Sequence, residues 1–211
     1  MEISQITFNA FQENTYILWD NTNDCIIIDP GCYEKKEQEH LVNFIEGNNL
    51  NPVKLINTHC HIDHILGNKF VSKKWELELY MHQLDLPILE GAGRIAKNYG
   101  FELYEGSPYP KHFLKEGDIL EFGNSKLEII FAPGHAPGHI CLLSKQDNFI
   151  VSGDVLFNGS IGRTDLPGGN FDTLINSIKS KLLILNDDIK VYCGHGPFTT
   201  IGKERENNPF L

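Results

Sequence analysis

The sequence predicts a layered α/β fold, and three observations carry that reading. Short apolar runs closed by turn residues recur along the chain, as buried strands do. Amphipathic stretches with helical periodicity lie between them. Their order runs strands, helix, strand, helix, strands, helix, strand, which predicts two mixed sheets packed together with helices outside.

Taken in order, "ISQITFNAF", "NTYILW" and "CIIIDPG" read as strands, the last a buried run stopped by Pro30 and Gly31. Residues 34 to 47 read as a helix with Leu41, Phe44 and Ile45 on one face. "VKLINTH" is a further buried strand, and Ile65 to Glu76 a helix. "LELYMH" is a strand, and "DLPILEGAGRIAKNYG" a helix or a lid. "KLEIIFAPGH", "HICLLSK" and "FIVSGDVLF" follow as strands, "NFDTLINSIKSKLLIL" as an amphipathic helix, and "KVYCGHG" as a last short strand.

At 211 residues with 41% hydrophobic content, the chain is expected to be one domain, residues 1–211, with a sizeable core. The formal charge of −10 argues against nucleic acid and anionic membranes as partners. The N-terminus lacks a basic segment followed by an apolar one, and no apolar run reaches transmembrane length. A soluble, cytoplasmic protein is expected. The five cysteines are odd in number and irregularly spaced, so no disulfide framework is expected. Cys60 and Cys193 lie among histidines but read as core filler, since a free cysteine behaves as a small buried hydrophobe.

The chemistry concentrates in "LINTHCHIDHILG", where His59, His61, Asp63 and His64 fall within one hexapeptide. Other apolar runs also end in metal-competent residues: "LEIIFAPG" leads to His135, "FIVSG" to Asp154 and "VYCG" to His195. A strand that emerges from a core gives such a residue a rigid support, and several such ends make a cleft. His59 and His61, two apart, point to one side of an extended segment. Asp63 and His64 turn toward a neighbouring point. The hexapeptide therefore offers two ligands to each of two metal positions. His135 completes the first, His195 the second, and the two-oxygen carboxylate of Asp154 bridges them. Mixed nitrogen and oxygen ligands suit two divalent ions, Zn²⁺ first, with Fe or Mn as alternatives. Each residue alone has an ordinary explanation: Asp63 as a helix cap, Asp154 as a turn residue, His40, His82 and His112 as surface or satisfied core residues. Their joint arrangement at the ends of apolar runs does not. His139, four residues after His135, reads as either an orienting partner of a ligand or a structural residue.

These motifs resemble the metallo-β-lactamase fold superfamily. "THCHIDH" fits its T-H-x-H-x-D-H signature, and "PGHAPGH", "SGD" and "CGHG" follow in its order. Through "IIIDPG", "APGHAPGHI", "GDVLF" and "GRTDLPGG" the chain is similar to the glyoxalase II-like (hydroxyacylglutathione hydrolase) enzymes. The resemblance implies a four-layer αββα sandwich. It also implies His59, His61 and His135 on one metal, Asp63, His64 and His195 on the other, and Asp154 between them. Asp63 and Asp154 become the catalytic carboxylates, and the reaction becomes hydrolysis of a small acyl thioester by a hydroxide held between the metals. Arg163 matches the basic position of the family's glutathione loop, where it would meet an anionic substrate group. Thr164 and Asp165 replace the aromatics that follow it. No counterpart of the family's C-terminal helical region is expected after His195. "GRTD" also resembles persulfide dioxygenases, which use one iron, so that redox reaction is the alternative. A non-enzymatic metal-binding scaffold is a third reading, disfavoured by the complete ligand set.

Overall fold

The computed structural model describes residues 1–211. The chain forms two compact units: Met1–Phe113 with Glu121–Ser125, and Leu114–Leu120 with Lys126–Leu211.

The first unit is built on a six-stranded sheet of β1 (Glu2–Phe8), β2 (Glu13–Trp19), β3 (Asp24–Ile28), β4 (Asn51–Ile56), β5 (Leu79–Met81) and β6 (His112–Phe113), in that spatial order. β1, β2 and β3 pair antiparallel, whereas β3 to β6 run parallel. Parallel neighbours need crossover connections. These are α1 (Lys35–Gly47), then α2 (Ile62–Ile65) with α3 (Asn68–Trp75), then α4 (Leu86–Asn98). The run Ile26, Ile27, Ile28 is fully buried, as a strand covered on both faces must be. α1 buries Leu41 and Ile45, one turn apart, and its start is tied down by Glu37, whose Oε2 accepts from the backbone N–H of Tyr33 and Glu34.

The helix expected over Ile65–Glu76 is displaced and interrupted. A four-residue helix carries Asp63 and His64, and the chain breaks at Gly67 before α3 begins. The cause is close approach. The Gly67 N–H donates to Pro30 O at 2.7 Å, and a Cβ there would lie 2.5 Å from Cys32 Sγ. The "DLPILEGAGRIAKNYG" stretch is a regular helix, with Leu89, Ala92 and Ala96 buried.

The other six-stranded sheet has the order β14-β13-β10-β9-β8-β7, and apart from Glu121, Phe122 and Ser125 its residues belong to the second unit. Its strands are β7 (Ile119–Phe122), β8 (Ser125–Phe131), β9 (Ile140–Ser144), β10 (Phe149–Gly153), β13 (Lys190–Cys193) and β14 (Thr199–Thr200), with a small hairpin of β11 (Leu156–Phe157) and β12 (Ser160–Ile161). β8, β9 and β10 form an antiparallel meander, and β13 joins β10 in parallel. The crossover between β10 and β13 includes α5 (Phe171–Ser177), capped by Asn170, whose side chain accepts from the Thr173 N–H at 2.8 Å. The helix then widens into a π-helical turn over Ile178–Leu182, so the sixteen-residue helix read from the sequence is only partly α-helical. Leu174, Ile178 and Leu182 are nevertheless all buried in one row. A short helix α6 (Ile201–Asn207) follows β14.

The register between β10 and β13 shifts between Val151 and Gly153. Such a bulge re-aims the residues that follow it, and here they begin with Asp154. No helix of the chain is long and apolar enough to cross a membrane.

Candidate metal centre

In the first unit, the segment after β4 brings three imidazoles together. The ring of His59 lies 4.8 Å from that of His61 and 4.1 Å from that of His64, centroid to centroid. Ligand atoms of His59, His64 and Asp29 all fall within 4.8 Å of one another. His59 and His64 are buried; His61 and Asp63 are partly open.

The hydrogen bonds around Asp29 dictate which ring nitrogens face outward. Asp29 Oδ2 accepts from Thr58 Oγ1 at 2.5 Å and lies 3.1 Å from His64 Nδ1, while Oδ1 accepts from Thr58 N at 2.7 Å. Thr58 has one hydroxyl proton, and it goes to Asp29. Its contact with His59 Nδ1 at 3.1 Å therefore runs the other way, with His59 donating. Both histidines carry their proton on Nδ1 and keep the Nε2 lone pair for a cation. His64 Nε2 faces Asp63 Oδ2 at 3.5 Å.

The second unit repeats this logic. The Nδ1 of His135 donates to the Arg163 carbonyl at 2.7 Å, which leaves its Nε2 lone pair facing Asp154 Oδ2 at 3.4 Å. The Nε2 of His195 lies 3.5 Å from the same oxygen. His139 is buried, and its Nε2 accepts the Asp154 backbone N–H at 3.0 Å. It holds the main chain of Asp154 and carries its own proton on Nδ1.

Lone pairs facing a carboxylate oxygen repel unless positive charge lies between them. The spacings exceed the ~2.7–2.9 Å of a charge-assisted hydrogen bond. They approach the ~3.3 Å separation between neighbouring donors of a tetrahedral ion with bonds of about 2.0–2.1 Å. The nitrogen and oxygen donors present thus fit a divalent transition metal in chemistry and in spacing.

Three buried polar residues were not singled out in the sequence. Asp29 ends the apolar run of β3 with a left-handed backbone, φ 49°, and its carboxylate organises Thr58 and His64. Glu13, fully buried at the start of β2, has Oε1 3.9 Å from His64 Nδ1, and burial pushes its carboxyl well above the usual range. Asp85 accepts the Cys60 N–H at 2.8 Å and so anchors the loop between His59 and His61. The one available signal was an acidic residue closing a fully apolar run, as in "IIIDPG".

Cys60 and Cys193 are buried, and burial raises both thiols, that of Cys193 up to about 12. They pack as hydrophobes. His112 stacks on Tyr80 at 4.0 Å and contacts Glu78 at 2.7 Å. The Arg163 guanidinium forks onto Asp165 with two contacts of 2.7 Å, and that pairing holds the exposed Asp165 carboxyl down to about 2.

An α/β fold with histidines and aspartates at the ends of buried strands suits a metal-binding enzyme. The chain belongs to the metallo-beta-lactamase superfamily, whose family profile matches residues 8–195. The αββα fold class expected from the sequence is the class of this superfamily. The chain is similar to the Haemophilus influenzae protein named hydroxyacylglutathione hydrolase GloC, with 40% identity covering 100% of this chain and 98% of that protein. Among solved structures, it resembles TTHA1623 in a di-iron-bound form, with 36% identity, TM-score 0.88, and coverage of 99% of this chain and 100% of that one. It also resembles the BLEG-1 B3 metallo-beta-lactamase, with 34% identity, TM-score 0.87, and coverage of 100% and 99%. As a member of the superfamily the chain is a metal-binding hydrolase.

Proposed function

We propose that the chain hydrolyses small acyl thioesters of the S-lactoylglutathione type in the cytoplasm, with two divalent metal ions. His59, His61 and His135 hold one ion, Asp63, His64 and His195 the other, and Asp154 ligates both. Zn²⁺ is the first choice for the ions, with Fe or Mn as alternatives, and the di-iron form of TTHA1623 supports the iron arm. The observation that carries the reading is Asp154 Oδ2, which lies 3.4 Å from His135 Nε2 and 3.5 Å from His195 Nε2. A single carboxylate oxygen equally disposed to two histidines suits a shared ligand. The full-length likeness to GloC supports the thioester substrate.

When bound, the ions supply an acidified water and positive charge for the developing oxyanion. The protein's own groups do the rest. Asp29 and Thr58 hold His64 and His59 in the tautomers that present Nε2. Asp63, partly open, orients the attacking water while it ligates. His139 fixes the backbone from which Asp154 projects. A thiolate leaves without a strong general acid, so none is required of the site. Arg163 meets an anionic group of the substrate by exchanging its pairing with Asp165. Arg163→Ala is then expected to raise KM about 3- to 10-fold for S-lactoylglutathione and to leave kcat near wild type, because it removes binding common to ground and transition states. An unchanged KM would reduce Arg163 to a surface ion pair.

The deciding measurement is thiol release from S-D-lactoylglutathione, with metal content determined on the same sample. Rapid release with about two metals per chain is expected. No release, with one iron per chain and oxygen uptake on glutathione persulfide, would replace hydrolysis with dioxygenation.

A further inference from the structure

We propose that Asn57 and Asn68 are positioning residues of the metal centre, a reciprocal amide pair that holds Asp29 and the backbone of α2 so that His64 meets its ion. This rests on the reading of His64 as a metal ligand.

Both asparagines are fully buried. Asn68 Nδ2 donates to Asn57 Oδ1 at 2.8 Å, and Asn57 Nδ2 returns a contact to Asn68 Oδ1 at 3.3 Å. The same Asn57 amide nitrogen reaches His64 O at 3.2 Å and Asp29 Oδ1 at 3.4 Å. Asn68 Nδ2 also reaches Ser107 Oγ at 3.1 Å, and Ser107 Oγ lies 3.0 Å from Tyr104 Oη. Two amides in a core are costly unless their polar atoms are bonded, and apolar side chains of equal size would fill the space as well. What they add is direction.

That direction matters because α2 has four residues and no side-chain cap at its start. So short a helix does not hold itself. Its last carbonyls are held instead by amide side chains: Asp63 O by Asn9 Nδ2 at 3.0 Å, and His64 O by Asn57. His64 is thereby gripped at its main chain by Asn57 and at its ring by Asp29. Asn57 also grips Asp29, on the oxygen that does not face the ring. Losing Asn57 removes the donor to His64 O and the longest contact on the Asp29 carboxylate, which Thr58 still holds; the α2 backbone is then free to shift, and that motion moves His64 Nε2. Asn68 acts one step removed, by fixing the plane of the Asn57 amide.

The test is competition for Zn²⁺ between a chromophoric chelator and the purified metal-loaded protein, wild type against Asn57→Leu and Asn68→Leu. Leucine keeps the branched shape, with somewhat more bulk, and removes the donors. One of the two ions is expected to bind about 10- to 100-fold more weakly in Asn57→Leu, and the other as in wild type. Asn68→Leu weakens the same ion by a smaller factor. At saturating Zn²⁺, kcat recovers and KM is unchanged. A packing role alone would lower the thermal midpoint and leave both Zn²⁺ affinities intact, which would overturn the proposal. If Asn57→Leu does not fold, an unchanged affinity in Asn68→Leu overturns it equally. Weakened Zn²⁺ binding in a protein that releases no thiol from any thioester would remove the thioester reading and leave this one standing.

Discussion

Asp154→Ala is expected to reduce kcat/KM on a thioester by about 10³-fold or more, and to lower the metal content from about two per chain to one or fewer. The size of the effect follows from how much converges on one carboxylate. Asp154 Oδ2 lies 3.4 Å from His135 Nε2 and 3.5 Å from His195 Nε2. Under the proposed shared-ligand assignment, its removal would take a donor from each ion and the negative charge that offsets both. The fold should tolerate the change. The His139 contact is made by the Asp154 backbone N–H and survives the substitution. The apolar neighbours of the second core, among them Val155, Leu156 and Val191, are not altered. The metal-free variant should therefore unfold within a few degrees of the metal-free wild type, while the metal-loaded proteins diverge widely, since ion binding stabilises only the native state. Asp154→Asn sharpens the test. It keeps the shape and loses the charge, and it should be nearly as inactive. Turnover near wild type in a fully metal-loaded Asp154→Ala protein would remove the shared-ligand assignment.

The fold was legible where local signals agree with tertiary fate. The isoleucine run of β3 and the Leu41–Ile45 face of α1 are strand and helix by pattern alone, and both are buried as that pattern requires. The two-residue strands β6 and β14 were not legible, because a dipeptide carries no period. Nor was the break at Gly67, which comes from the Pro30 and Cys32 backbone pressing on it rather than from its own neighbours. The candidate ligands could be read because four of them share one hexapeptide and the others end apolar runs. Their supports could not. Asp29 meets Thr58 and His64 across 29 and 35 residues, and Asn68 meets Asn57 across 11. A buried aspartate or asparagine looks like a turn residue until the chain has chosen its partner. The sequence marked candidate ligands, while the groups that contact and orient those candidates emerged from packing.

Gly162→Ala is expected to cost about 1–3 kcal/mol of stability and about 10²-fold in kcat/KM. Gly162 begins the "GRTD" stretch, just after β12. A Cβ added there would overlap the carbonyl oxygen of Asp154 and lie 3.0 Å from His135 Nδ1. Its N–H points to Val155 O at 3.5 Å, so the two segments run side by side. The next carbonyl, that of Arg163, receives the His135 Nδ1 proton at 2.7 Å. One methyl group thus presses on the backbone of one candidate ligand and on the orienting contact of another. The obstacle is backbone, which cannot rotate away as a flexible side chain would. Alanine gains about 0.4–1 kcal/mol over glycine by restricting the unfolded chain, less than the expected cost of overpacking, so the net sign is destabilising. The loss of activity should exceed what the lost stability explains: the protein remains folded at 25 °C, yet His135 and Asp154 no longer meet at 3.4 Å. Denaturant unfolding of the metal-free protein, read beside kcat/KM at saturating Zn²⁺, separates the two effects. A variant that loses stability but keeps full turnover would mean that the "GRTD" stretch packs against the centre without aiming it.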